Sequence, residues 1–117
     1  MKILTKAITT KLIKNFVTNA PLNGTEEELD FKPVVKLFGG GACTWLLTEL
    51  DPDINVAFGL CDLGMGTPEM GSVSMDELMD LRFPPFNLPI ERDLHFKADK
   101  TLTEYADAAR NQGRIAA

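Results

Sequence analysis

Glu91, Asp93 and His95 alternate with Leu88, Ile90, Leu94 and Phe96, and Arg92 is the one break in the apolar series. Side chains alternate across a strand, so this spacing predicts a strand over 88–96 with two carboxylates and the chain's only histidine along one face. That is the raw material of a metal or acid–base site. Glu49, Asp62 and Glu69 would have to arrive from neighbouring strands to complete it. Hard divalent cations take several converging oxygen ligands, so such a set would hold Mg²⁺ or Mn²⁺, with Arg82 or Arg92 receiving a phosphate for phosphoester hydrolysis. His95 has the chemistry of a general base, but no serine or cysteine is placed as its nucleophile and no GxSxG pattern occurs. The simpler reading is a solvated strand face whose acids pair with Arg82, Arg92 and nearby lysines; it requires no cofactor. By strict alternation Arg92 points to the apolar side. There it must snorkel at a sheet edge or pair with Asp62 or Glu49.

The elements that would position these groups follow from periodicity. Leu4, Ile8, Leu12 and Phe16, with Ile13 and Val17, form a helical stripe that should end near Asn19, before Pro21 and the Asn23-Gly24 turn. Residues 34–38 read as a short strand closed by Gly39-Gly40-Gly41. Those glycines suit a turn or a close backbone approach, and no phosphate-loop pattern follows them. Residues 44–50 and 55–63 read as an antiparallel hairpin around Asp51-Pro52-Asp53. Pairing Leu50 with Asn55 would make the bulky faces coincide and lay Trp45 over Leu60, and a one-residue slip would reverse that. Residues 70–73 read as a further strand. Ser74-Met75-Asp76-Glu77 and Thr101-Leu102-Thr103-Glu104 are capping boxes that open a short helix and a last helix, the latter stopped by Gly113. Phe83-Pro84-Pro85-Phe86 is irregular, because two prolines remove amide donors. It serves either as a lid over the core or, if exposed, as an aromatic anchor for a partner; Phe83, Phe86 and Arg82 are the candidate partner-binding residues.

Charge narrows the partners. Residues 1–25 carry Lys2, Lys6, Lys11 and Lys14 and no acid, so residues 26–117 set 8 basic residues against 17 acidic ones, a net of −9. An acidic body does not attract phosphate backbones, which argues against nucleic acid. Cys43 and Cys61 fit no zinc spacing and read as reduced, buried thiols. No apolar run is long enough to span a membrane, and the N-terminus lacks both a secretory core and the arginines of a transit peptide. The expectation is a cytoplasmic protein with no membrane association. The acidic 25–31 segment and the tail after Arg110 read as loose.

Several motifs in order carry a family resemblance: Lys36-Leu37-Phe38, then Thr44-Trp45-Leu46-Leu47-Thr48-Glu49, then Phe58-Gly59-Leu60-Cys61-Asp62-Leu63-Gly64, then Pro68-Glu69-Met70-Gly71, and finally residues 88–96. The series resembles a family of small bacterial proteins, domain of unknown function twenty-nine fifty-eight, over about residues 4–109. The resemblance implies a single domain, here 1–117, and a setting on plasmids, integrative elements and phages near anti-restriction and DNA-processing genes. It implies no reaction. The expected fold is α+β: a mainly antiparallel sheet of four to five strands with N-terminal and C-terminal helices packed against it. The expected function is that of a non-catalytic accessory protein of a mobile element that binds an unidentified protein partner; the resemblance implies a host defence or DNA-processing system as its setting. The alternative is a metal-dependent phosphoester hydrolase built on the acidic strand face.

Overall fold

The computed structural model describes residues 3–117; Lys2 of the basic N-terminal group lies outside them. The fold is α+β. Helix α1 (Lys6–Asn19) and a short 3-10 turn (Ala20–Leu22) precede strands β1 (Val35–Gly39), β2 (Cys43–Asp51), β3 (Val56–Asp62) and β4 (Glu69–Ser74). Helix α2 (Met75–Asp80), the two-residue strand β5 (Glu91–Arg92) and helix α3 (Leu102–Gln112) complete it. All strand pairs are antiparallel, in the order β4-β3-β2-β1-β5.

The helix boundaries fall where side chains satisfy the first free amides. Thr5 caps α1 by accepting from the Ile8 amide at 3.1 Å. Thr101 and Glu104 cap α3 reciprocally, and Gly113 ends it at φ 74°. At α2 the Ser74 hydroxyl accepts from the Glu77 amide at 3.2 Å.

The sheet is covered on both faces. On one, Leu12 of α1 and Met75 and Leu78 of α2 pack with Leu37, Trp45, Leu47, Leu50 and Ile90. On the other, Leu102, Tyr105, Ala106 and Ala109 of α3 pack with Leu46, Leu60 and Ile115. β2 therefore runs buried from Trp45 to Leu50 with little polar alternation, as a strand sandwiched between two layers must.

The hairpin register departs from the sequence expectation. Leu50 pairs with Ala57 and Trp45 with Cys61, and Thr48 is an extra residue between the Leu47–Gly59 and Glu49–Phe58 pairs. Trp45 and Leu60 thus lie on opposite faces. Trp45 and Leu47 stand over the small side of β3, which leaves room for α1. The bulge at Thr48 reverses the alternation, so Leu50 joins Trp45 and Leu47 while Glu49 leaves that face. Burying a leucine is worth about 2 kcal/mol, more than the roughly 1 kcal/mol of one ladder bond. The displaced groups are also satisfied: the Thr48 carbonyl accepts from Asn15 Nδ2 at 3.0 Å, and its hydroxyl donates to the Phe58 carbonyl at 3.3 Å. Gly59 is required here, because a Cβ would collide with the Leu46 carbonyl.

The expected strand over 88–96 shrinks to Glu91–Arg92, paired with Phe38 and Leu37 of β1. Pro89 has no amide to donate, and beyond Arg92 the chain turns: Asp93 Oδ1 accepts from the His95 amide at 2.9 Å. Ile90 is buried, but Leu88 and Leu94 are exposed. The segments read as loose are tied down. Leu29 donates its amide to Asn19 Oδ1 at 2.8 Å, and Thr103 donates its amide to Asp30 Oδ1 at 3.1 Å. Ile115 is buried in the α3 layer. No helix among the described residues is long and apolar enough to cross a membrane.

Candidate functional site

The acidic-set residues do not converge: only Asp93 and His95 share a place, on one turn. Asp62 is buried at the end of β3, where Oδ1 accepts from the Gly64 amide at 2.8 Å and Oδ2 from the Ile115 amide at 2.9 Å. It fixes a loop and the C-terminal tail. Glu49 is buried too; Oε2 accepts from Asn19 Nδ2 at 3.3 Å. Burial pushes its pKa up, the Asn19 hydrogen bond opposes this, and the charge of Glu28 adds to the rise. Glu69 and Glu91 are exposed on β4 and β5, at opposite edges of the sheet. Asp93 bonds the His95 amide and lies 3.6 Å from Lys36 Nζ; these hold its carboxyl below the usual range, the amide contributing most. The His95 side chain is exposed on the turn. Among the described residues, no three His, Cys, Asp or Glu side chains are grouped so as to hold a metal ion.

Arg92 lies half-buried on the edge strand β5. Its Nη1 donates to the Ile3 carbonyl at 2.6 Å, pinning the chain just before α1. Its anticipated partners, Asp62 and Glu49, are engaged elsewhere. Cys43 and Cys61 are free, partly buried thiols. Burial raises the pKa of both, and the nearby Asp62 charge adds to the rise at Cys43, so neither is poised as a nucleophile.

The Phe83–Phe86 segment splits between its two readings. The Phe83 ring lies against the backbone of Gly39 and Gly40, so closely that a Cβ at either position would strike it. This is the close approach that the glycine run permits. Phe83 and Leu88 exchange backbone hydrogen bonds of 2.8 and 3.1 Å, which close the loop and hold Phe86 outward, 77% exposed. Arg82 caps the end of α2, donating to the Met79 and Leu81 carbonyls at 2.9 and 2.7 Å.

The segment around this loop exposes several apolar side chains, among them Leu88 and Leu94, which alternation assigns to the apolar face. Met79, Leu81, Phe86, Leu88 and Leu94 are all exposed within residues 79–94. A groove of about 490 Å³ runs between Met79, Arg82, Pro89, Ile90 and Leu94. Of the candidate residues, Arg82 and Glu91 meet on this groove, and Phe86, Asp93, His95 and Asp62 do not line it. The available sequence signal was the Asp93 turn chemistry, which ends the strand and frees Leu94.

The family model described as Protein of unknown function (DUF2958) matches residues 3–116. No curated protein and no solved structure gives a significant match. The match spans nearly the whole chain, from the residue that Arg92 pins to the tail that Asp62 holds, and the protein therefore belongs to the DUF2958 family.

Proposed function

We propose that this protein is a small, non-catalytic, cytoplasmic accessory factor of a mobile genetic element that acts by binding another protein through the face formed by residues 79–94. One observation carries the reading: five large apolar side chains are exposed within residues 79–94, and two of them, Met79 and Leu94, line a groove there. Exposed apolar side chains are unremarkable singly, but a contiguous patch rimmed by charge marks an interaction surface. Phe86, held out by a closed loop, has the form of an anchor whose ordering cost is already met. A host defence or DNA-processing protein is the partner class that the resemblance to mobile-element proteins suggests, by analogy. The dispersal of Glu49, Asp62, Glu69, Glu91, Asp93 and His95 offers the hydrolase alternative no support.

The test begins with a photo-crosslinking amino acid at position 86 in the natural host. The captured protein is then purified and titrated against wild type and Phe86→Ser. Losing a buried phenylalanine side chain should weaken binding roughly tenfold or more. Equal affinity for both forms, or no saturable binding, would sink the reading. A saturable Mn²⁺ isotherm by calorimetry, lost in Asp93→Ala, would replace it with the hydrolase.

A further inference from the structure

The sheet has two edges, and they are built differently. β5 is two residues long, follows Pro89 and ends in a turn, so it offers a partner strand little to pair with. β4 runs six residues in unbroken register with β3, from Val56–Ser74 to Cys61–Glu69. It contains no proline, lysine or bulge, which are the usual means of protecting an edge. Among the described residues, no strand pairs with its outer side.

The face beside this edge is concave. Phe58 and Leu60 pair with Ser72 and Met70, so these four side chains share the face that carries α3. Helix α3 covers Leu60 but leaves Met70 and Ser72 exposed. Three hollows of about 320, 180 and 490 Å³ adjoin along this strip: Phe58 and Glu49 line the first two, and Met70 the last two. Their floor is apolar and their walls are acidic, with Glu28, Asp30, Glu49, Asp51 and Glu69. The basic side chain on the walls is Arg110, which is paired with Asp107 at 3.3 Å.

We propose that β4 is the docking edge for an extended, lysine- or arginine-bearing segment of a partner protein. The segment pairs with β4 as a sixth strand and lays its cationic side chains in the acidic groove. Main-chain bonds supply affinity in this mode, and the side-chain hollows supply specificity. The charge of the groove chooses the occupant: carboxylates at the rim favour a cation and repel nucleic acid. A second copy paired edge to edge would bring its own acidic rim against this one. This inference rests on the reading that the protein works by binding proteins, but it concerns the edge opposite Phe86.

The probe is a short fluorescein-labelled peptide of alternating lysine and valine, with a glutamate–valine peptide as control, titrated by anisotropy at about 150 mM salt. Saturable binding of the lysine peptide alone is expected. Ser72→Lys, at an exposed edge position, and Glu28→Lys should each weaken it roughly tenfold or more. Glu91→Lys, at the other edge, should leave it unchanged. Absence of saturable binding overturns the proposal, as does equal weakening by Glu91→Lys, which would mean diffuse charge attraction. A dimer of the free chain in light scattering, dissociated by Ser72→Lys, would give the edge to a second copy instead. Phe86→Ser should not alter peptide binding, so either surface can fail without the other.

Discussion

Asp62 shows how one side chain can serve a structure that its sequence context does not announce. Its two oxygens each accept a backbone amide, one from the adjacent loop and one from the C-terminal tail 53 residues away. Asp62→Ala would leave both donors without their charged acceptor and release Ile115 from the α3 layer. We expect a loss of about 2–4 kcal/mol in urea titration, whereas a change under about 0.5 kcal/mol, typical of surface sites, would mean that the tail is held by other means. Glu49 behaves oppositely. Its folded-state pKa is raised, chiefly by burial, so between the ordinary glutamate value and the raised one the folded state binds more protons than the unfolded. Stability from this residue is therefore complete at low pH and is lost as pH rises through that window. Glu49→Gln keeps an acceptor for Asn19 and removes the charge. It should melt higher than wild type at pH 7, with the gap closing below about pH 4. A gap independent of pH would show that Glu49 is not the titrating group. Asp93 and Asp99 have lowered pKa values, through the His95 amide and the Tyr105 hydroxyl foremost, and so favour the folded state above the aspartate range and withdraw that support on acidification.

At the scale of elements, the decisive feature is the bulge in β2. Residues 44–50 read from sequence as a uniform strand, and they fall within β2, but alternation alone assigns Glu49 to the Trp45 side. The single extra residue reverses this, and only the competition between two cores reveals why. Gly59 is the complementary clue, because β3 passes close to the Leu46 carbonyl there. Gly59→Ala should cost about 3 kcal/mol by forcing the ladder apart. Gly71→Ala, whose Cβ would meet open space one strand away, should stay within about 0.5 kcal/mol. Equal effects in chemical denaturation would mean that the bulge relaxes at little cost. The segment 88–96 failed as a strand for a different reason: alternation describes a side-chain pattern, but a strand also needs a neighbour to pair with. Only Leu37 and Phe38 of β1 pair with it, the Asp93 amide adds one bond to the Lys36 carbonyl, and the Asp93 turn then competes successfully with further pairing.

For the whole molecule, two apolar layers share one sheet, and neither has a second surface to pack against. Trp45 reports on the α1 layer, while circular dichroism reports on all three helices. Since β2 contributes Leu47 to one layer and Leu46 to the other, the layers should melt together. Coincident midpoints by tryptophan fluorescence and far-ultraviolet circular dichroism are expected. A separate dichroic transition, with the tryptophan signal still native, would show that α3 detaches on its own.

Local chemistry was sufficient for much of this protein. Thr5, Ser74 and Thr101 begin helices because a hydroxyl can bond an amide three residues on, and Gly113 ends one because it tolerates positive φ. The order of helices and strands, the α+β class and the glycine turn under Phe83 follow from such nearest-neighbour rules. Register, face and exposure do not, because they are settled by partners distant in sequence. Leu94 is exposed because the Asp93 turn carries the chain away from β1, Glu49 changes face because Leu50 has a better place beside Ala57, and Asp62 is buried because the tail returns to it. The candidate acidic site was legible as composition, but its dispersal was decided by the fold. Convergence of side chains is a property of the packed sheet and not of any one strand.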